Sequence, residues 1–563
     1  MAEVRDVVAL LHRADWTRLS LSAELYQEHD RGLTHQLRRT RSANIPEPAA
    51  EDVPAGVHSD STTLRIAPGG RFREEPGDQD SGPVRGSDGV SGWVWFPSGS
   101  APRPGLEAIS GDEPPCPRLL LPSWLLSGYT LTVSGGQACQ GRDAIVVTAA
   151  RRPVLCAPGP HLSRHLGDKA DLLVDAELGI LLRCEETFAG ERFALAELTA
   201  LVINAAEAAD QTQYAPPPGS IPVQDVRESL RRVFSDPGWD VPKAIAGLAA
   251  GGLGAIVRHG PRQPRPGAED DTEAAMPLPD TDRVPPLDPV AAEAEQPGDE
   301  VLYLLYRSGA VPAITATVHE WQDVAAIAAL VPDGARSIGH GGLGYLLDSV
   351  TGKVATTHVV VRVRVADADR YRFDYLGQPG TRGDKTIASD GQRRWQRLGD
   401  KVITGQSTRP PEDIAGLIDA SWLLDCRLSG GPPITYRGRA AYQLRVVRAP
   451  DAPPDSPLRF LPVADAIVDA EFGCLLRLIS YAGAVPGSWR ELTEISVASD
   501  PGDFAIPAGL RVTEETGNPI ADQAATMPGA TGTVIRTAAE VAKRTVDAAA
   551  TARRFLRGTP TGS

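Results

Sequence analysis

The chain has no CxxC pair, no G-x-S-x-G nucleophile elbow, no G-x-x-x-x-G-K-[ST] phosphate cradle, and no apolar run of the roughly 20 residues that span a bilayer core. Each absence removes a class of function. Cys116, Cys139, Cys156, Cys184, Cys426 and Cys474 are scattered over 563 residues. They make no disulfide framework and read as free thiols of a reducing compartment. The amino end, "MAEVRDVVALLHRADW", offers only Val7 to Leu11 as an apolar run, too short for a secretory h-region. The expected location is therefore cytoplasmic or peripheral to a membrane, and extracytoplasmic if the true start lies upstream. The longest uncharged stretch, Ala244 to Val257 between Lys243 and Arg258, suits a buried or interfacial hairpin rather than a span.

Catalytic groupings are also missing. His161 and His165 stand four apart with Asp168 following, but without the glutamate of a zincin, and read as a surface loop. "GHGG" around His340 has no nucleophile to serve and reads as a loop needing positive φ. Asp175, Glu177, Asp469 and Glu471 fall in turn sequences, where Asp caps and Glu is solvated. No catalytic residue, metal site or cofactor is expected, and an enzyme is not.

What is present is ample core material, with 42% hydrophobic residues, enough for about three domains or two large ones. The net charge of −15 is unevenly spread. From Pro261 to Glu300 there are eleven Asp/Glu, three Arg, nine prolines and no aromatic residue. That stretch cannot bury enough apolar surface to offset its ordering entropy and reads as an extended linker. The acidic balance argues against nucleic acid as a partner.

The chain also writes itself twice. "VDAELGILLR" at Val174 returns as "VDAEFGCLLR" at Val468, an offset of 294. "SDGVSGW" at Ser87 answers "SDGQRRW" at Ser389, "PSWLL" at Pro122 answers "ASWLL" at Ala420, and Gly141-Arg142 answers Gly438-Arg439. "ELT" at Glu197 answers "ELT" at Glu491, and "YAPPPG" at Tyr214 answers "FAIPAG" at Phe504. The order is kept and the offset drifts only between 290 and 302, as a duplicated domain with small loop insertions predicts. Each ten-letter repeat parses as strand, tight turn, strand; "VVVRVRV", "RYRFDYL" and "AYQLRVV" alternate with period two. "VRDVVALLHRA" has Val4, Val7, Val8 and Leu11 at helical spacing. The predicted class is α+β, an antiparallel meander with helices, twice. Shared Trp93, Trp395, Trp124 and Trp422 read as core or turn anchors first and ligand contacts second. Function is then sought where the copies differ, above all in an excursion from about Val324 to Thr357 in the second copy.

Taken together, the "SDGxxxW", "VDAExGxLLR" and "xFxxPxG" motifs of residues 1–222 and 301–515 resemble the lipoprotein-carrier superfamily, which includes LolA, the LppX-type lipid carriers and the RseB/MucB sensors. The resemblance implies two tandem open antiparallel β-barrels with covering helices, where a LolA-type carrier has one. It also implies that the concave faces take up a lipid or acyl ligand, or, as in RseB-like proteins, a protein partner or signal. The expected layout is a first module 1–222, a helical segment 223–260, a linker 261–300, a second module 301–515 and a tail 516–563. Within the tail, residues 534–557 carry Arg536, Lys543, Arg544, Arg553, Arg554 and Arg557 against Glu540 and Asp547. That pattern suits a basic amphipathic helix for peripheral membrane contact, or a terminal helix packed on its own domain.

Overall fold

The computed structural model describes residues 2–41, 56–77, 83–89, 91–95, 117–152, 155, 167–204, 211–218, 220–222, 296–310, 313–323, 326, 356–376, 385–398, 401–405, 412–448, 463–497 and 504–514. The expected helical segment 223–260, most of the linker 261–300, most of the excursion Val324–Thr357 and the tail 516–563 lie outside the described residues. The described residues fall into two compact units: residues 385–398, 401–405 and 504–514 form the second, and all the others form the first.

Helix α1 (Val4–Arg13) starts where the Asp6 carboxylate accepts the Glu3 backbone N–H at 3.0 Å, and it ends on a basic turn, both suited to the helix dipole. Val7, Val8 and Leu11, the stripe that the spacing predicts, are fully buried, each contributing roughly 1.5–3 kcal/mol over exposure. Helices α2 (Arg31–Arg41), α3 (Pro117–Leu120) and α4 (Trp124–Gly128) follow. Helix α5 (Asp299–Ser308) has the build of α1, with Asp299 and Glu300 in its first turn, Arg307 in its last, and Val301, Leu302 and Leu305 buried. Helix α6 (Glu412–Ile418) runs into a 3₁₀ turn, Ala420–Asp425.

Strands β1 (Leu21–Asp30), β2 (Val57–Ala67), β3 (Arg71–Pro76), β4 (Val84–Asp88) and β5 (Gly92–Trp95) precede the short helices. After them come β6 (Tyr129–Cys139), β7 (Arg142–Arg151), β8 (Lys169–Asp175), β9 (Leu181–Phe188), β10 (Glu191–Ile203) and β11 (Ile221–Pro222). All eleven form one antiparallel sheet, ordered β11-β5-β4-β3-β2-β1-β10-β9-β8-β7-β6. The other strands of the first unit are β12 (Ile314–Asp323), β13 (Thr356–Val365) and β14 (Arg370–Leu376), then, numbered after the three strands of the second unit, β18 (Arg427–Tyr436), β19 (Arg439–Val447), β20 (Val463–Asp469), β21 (Leu475–Ala482) and β22 (Val485–Val497). They run antiparallel in the order β18-β19-β20-β21-β22-β12-β13-β14. In the second unit β15 (Lys385–Asp390), β16 (Arg394–Leu398) and β17 (Lys401–Thr404) pair antiparallel, and β23 (Arg511–Glu514) joins β17 in parallel.

The two sheets of the first unit share one plan. β12, β13, β14 and β18 to β22 stand in the second where β1, β2, β3 and β6 to β10 stand in the first. In each, alternate residues make one aliphatic face: Leu25, Ile66, Leu198, Leu172 and Val147 in the first, Val318, Val363, Leu492, Ala466 and Leu444 in the second. Both sheets are open, and no closed barrel forms among the described residues. The excursion expected to belong to the second half alone has a counterpart. The connection between β1 and β2 occupies residues 31–56 and carries α2, as residues 324–355 join β12 to β13. Ten-letter motifs mark hairpins well but leave connections of unlike sequence invisible.

The repeated motifs meet in space. The Asp175 carboxylate accepts the backbone N–H groups of Glu177 and Leu178 at 3.0 and 2.8 Å and pairs with Arg142, which also holds Glu177 at 2.9 Å. Asp469 does the same with Glu471 and Phe472, both at 2.9 Å, and with Arg439. Each turn then places a glycine against a helix. Gly179 (φ +73°) backs onto the Leu10 carbonyl of α1, and Gly473 (φ +75°) onto the Leu304 carbonyl of α5. A Cβ at Gly473 would lie 2.6 Å from that oxygen. Replacing either glycine by alanine is expected to cost about 1–3 kcal/mol through the left-handed backbone alone, and more through the lost approach to the helix. Urea denaturation of Gly179→Ala and Gly473→Ala checks this; a loss under about 0.5 kcal/mol in both would contradict the contact.

Candidate functional site

The four tryptophans proposed from sequence are all buried, and each is anchored by its surroundings. Trp93 donates its indole N–H to the Tyr214 carbonyl at 3.1 Å, with Gly86 packed flat against its ring. Trp395, in the second unit, donates to the Phe504 carbonyl at 2.9 Å and packs on Ala388 and Val402. "SDGxxxW" and "YAPPPG/FAIPAG" are thus the two halves of one contact, made twice. Trp422 donates to the Gly416 carbonyl at 2.9 Å, and Trp124 lies edge-on to Tyr129 with centroids 5.7 Å apart. In each, the polar tip or the ring edge is already engaged within the protein.

More telling is what lies over the aliphatic faces. α1 packs on α5, and the 3₁₀ turn Ala420–Asp425 packs on both α4 and α5, so the helices of the two halves form a common layer. The polar contacts within this layer are specific. The Tyr306 hydroxyl accepts the Leu131 backbone N–H at 2.7 Å. Arg152 donates to the Tyr306 and Leu126 carbonyls at 2.9 and 2.8 Å, its guanidinium 4.9 Å from the Tyr306 ring centroid. Asp419 accepts the Leu155 N–H at 3.2 Å, Ser127 donates to Asp425 at 3.1 Å, and Arg13 pairs with Asp299 at 2.5 Å. His12, at the position in α1 that Tyr306 holds in α5, has both ring nitrogens buried. Burial, aided by Arg13 and opposed by the Cys426 backbone, pushes it down to about 4.

Other candidates carry less. A cleft of about 270 Å³ beside β3 and β4 is lined by Arg71, Asp88, Tyr214, Ala215 and Pro216 and lies open to solvent. Burial pushes the Cys474 thiol up to about 12, far from nucleophilic range. Cys139, Cys184, Cys426 and Cys474 are free thiols. Among the described residues no three His, Cys, Asp or Glu side chains converge on a point that could hold a metal, and no helix is long and apolar enough to cross a membrane. His161, His165 and His340, and the basic segment 534–557, lie outside the described residues. Sequence reading missed the outer face of the second sheet, where Arg477, Trp489, Trp321 and Tyr436 are buried. Its signal was available: aligned on the repeat, Ile479 stands where the first half has Glu185.

The class defined so far is an antiparallel protein of two open sheets with buried aliphatic faces and a shared layer of helices. No family model matches the chain, and no curated protein does. Among solved structures it is similar to an uncharacterized conserved protein from Thermus thermophilus, at 11% identity and a TM-score of 0.24 over 38% of this chain and 98% of that one. It is similar to MucB at 16% identity and a TM-score of 0.24, over 38% of this chain and 63% of the MucB chain, less than two thirds of the latter. A LolA superfamily protein from Nitrosomonas europaea matches at 8% identity and a TM-score of 0.18, over 38% of this chain and 98% of that one.

The buried imidazole gives the helical layer a pH dependence. His12 is held below its ordinary value, so the folded state favours the neutral ring and the unfolded state binds the extra proton. Stability from this group is complete above about pH 6.5 and is lost as the pH falls towards about 4, a difference of about 3 kcal/mol. Urea midpoints measured from pH 7 to pH 4 should fall less steeply for His12→Phe than for the parent chain. Parallel slopes would show that the ring is not buried neutral.

Proposed function

We propose that the chain is a non-catalytic recognition protein of the LolA/RseB kind, made of duplicated modules 1–222 and 301–515, that senses a protein partner rather than carrying lipid within its inner faces. One observation carries this reading: the aliphatic faces that would cradle an acyl chain are already buried, and the chain's own helices pack on one another across the two halves and on strands of both sheets. A lipid-sized site would need an apolar cavity of roughly 300–1,000 Å³. The described cleft is smaller, and two of its five lining residues are charged. The matched strand orders and the six sequence matches support duplication.

The second reading, uptake of an acylated ligand, is favoured by the continuity of the aliphatic strands and would require the helical layer to swing away. Both readings leave the segment 534–557 as a peripheral membrane contact. Organic extraction of the purified full chain followed by mass spectrometry separates them. We expect no acylated species near one per chain; a stoichiometric lipid would overturn the recognition reading in favour of a carrier.

A further inference from the structure

The β2–β3 hairpin and its counterpart β13–β14 keep the same arginines but not the same partners. In the first sheet Arg65 and Arg73 both pair with Glu75, at 2.8 and 2.6 Å. In the second, Arg364 and Arg372 pair with Asp374 in the same register, at 2.5 and 2.9 Å. The first arginine of β3 and of β14 is treated differently. Arg370 pairs with Asp367 at 2.8 Å, and that carboxylate also accepts the N–H groups of Asp369 and Arg370 at 3.0 and 2.8 Å. Arg71 holds the matching place, but Pro68 stands where the second hairpin has Asp367 and offers no carboxylate. Of the other arginines on β2, β3 and β4, Arg85 pairs with Glu74, as Arg65 and Arg73 do with Glu75. The Arg71 guanidinium makes no ion pair and no hydrogen bond among the described residues.

This released cation lines the cleft of about 270 Å³ beside β3 and β4. Each wall of the cleft is fixed by contacts of its own. Asp88 is the register partner of Arg71 on β4, yet the two do not bridge within 4.0 Å. The Asp88 carboxylate accepts the Ser91 backbone N–H at 2.8 Å, which holds it at the β4–β5 turn. A carboxylate offers about four acceptor sites, so that turn contact leaves it able to receive a further donor. Gly89 (φ +91°) lets the turn close: a Cβ there would lie 2.5 Å from the Gly69 carbonyl oxygen and 3.2 Å from Arg71 Cγ. The facing wall is Tyr214, Ala215 and Pro216. It is pinned over the strands where the Gln213 carbonyl accepts Arg73 at 3.0 Å and the Tyr214 carbonyl accepts the Trp93 indole at 3.1 Å.

We propose that this cleft binds a small zwitterion of the α-amino-acid class, its carboxylate received by Arg71 and its ammonium by Asp88, with its apolar body against Ala215 and Pro216. The guanidinium fork matches a carboxylate, and the loss of the clamping aspartate in this half is what leaves the fork available. One cation and one anion on opposing strands suit a ligand with both charges and disfavour a bare anion, which Asp88 would repel. The volume is below the roughly 300–1,000 Å³ of drug-sized sites, in keeping with a small occupant. The site goes beyond the recognition reading above and does not rest on it; a bound lipid found by extraction would leave it standing.

L-leucine is the probe, titrated into the full chain to about 10 mM and followed by saturation-transfer NMR. Leucine methyl ester keeps the ammonium and loses the carboxylate, and N-acetyl-leucine does the reverse. Leucine should bind saturably, the ester about tenfold more weakly and the acetylated form roughly 2- to 5-fold more weakly. Arg71→Met should weaken leucine binding about tenfold. Asp88→Asn, whose amide oxygen can still accept the Ser91 N–H, should weaken it roughly 2- to 5-fold. Thermal melts of both variants check that they stay folded, and Arg370→Met, at the paired position, should bind leucine as the parent does. No leucine binding by the parent, equal binding by either cleft variant, or equal binding of either derivative would each overturn the proposal.

Discussion

A carboxylate at the end of a strand holds much of this architecture in place. Asp175 and Asp469 accept two backbone N–H groups each and an arginine from the neighbouring hairpin, so one side chain closes a turn and ties two strand pairs together. Burial works to raise Asp175, but Arg142 and the turn N–H groups outweigh it and hold the group below the usual carboxylate range. The tie fixes the glycine four residues on in a left-handed conformation, with its bare Cα against a helix carbonyl. Without that approach α1 and α5 could not lie so close to these turns.

From this local constraint the rest follows by packing. Two helices held in matching places over two matching sheets present matching surfaces, and those surfaces meet. The layer they form is not purely apolar. His12 and Tyr306 occupy the same helical position, yet one is a buried neutral imidazole and the other a hydroxyl accepting a strand N–H. Arg152 donates its two terminal nitrogens to carbonyls and lies over an aromatic face, while its buried Nε has no acceptor. Such groups favour one arrangement of the layer over a sliding one, because each displaced partner would leave a buried polar atom unmatched.

Much of this was legible beforehand. Strand–turn–strand parsing located β8 to β10 and β20 to β22, and the helical spacing of Val7, Val8 and Leu11 located α1. The repeated tryptophans were readable as anchors. The helix in the first-to-second-strand connection was not, because α2 shares no motif with residues 324–355. The outer face of the second sheet was missed for a different reason. Arg477 belongs to a repeated motif, and a repeated letter conceals that its partner two residues on has changed from Glu185 to Ile479.

By itself the sequence determined the local conformations: which segments alternate, which turn on a glycine, which carry a helical stripe, and that two stretches near 300 residues apart would adopt the same plan. These depend on neighbours along the chain, where spacing is enough. Only the tertiary structure decided which face of each sheet is aliphatic and buried, that Gly179 and Gly473 touch helices at the far amino end of each half, and which polar groups of the helical layer meet. Those outcomes depend on side chains that meet across strands and between halves, and their energies come from burial and pairing that no single stretch of sequence contains.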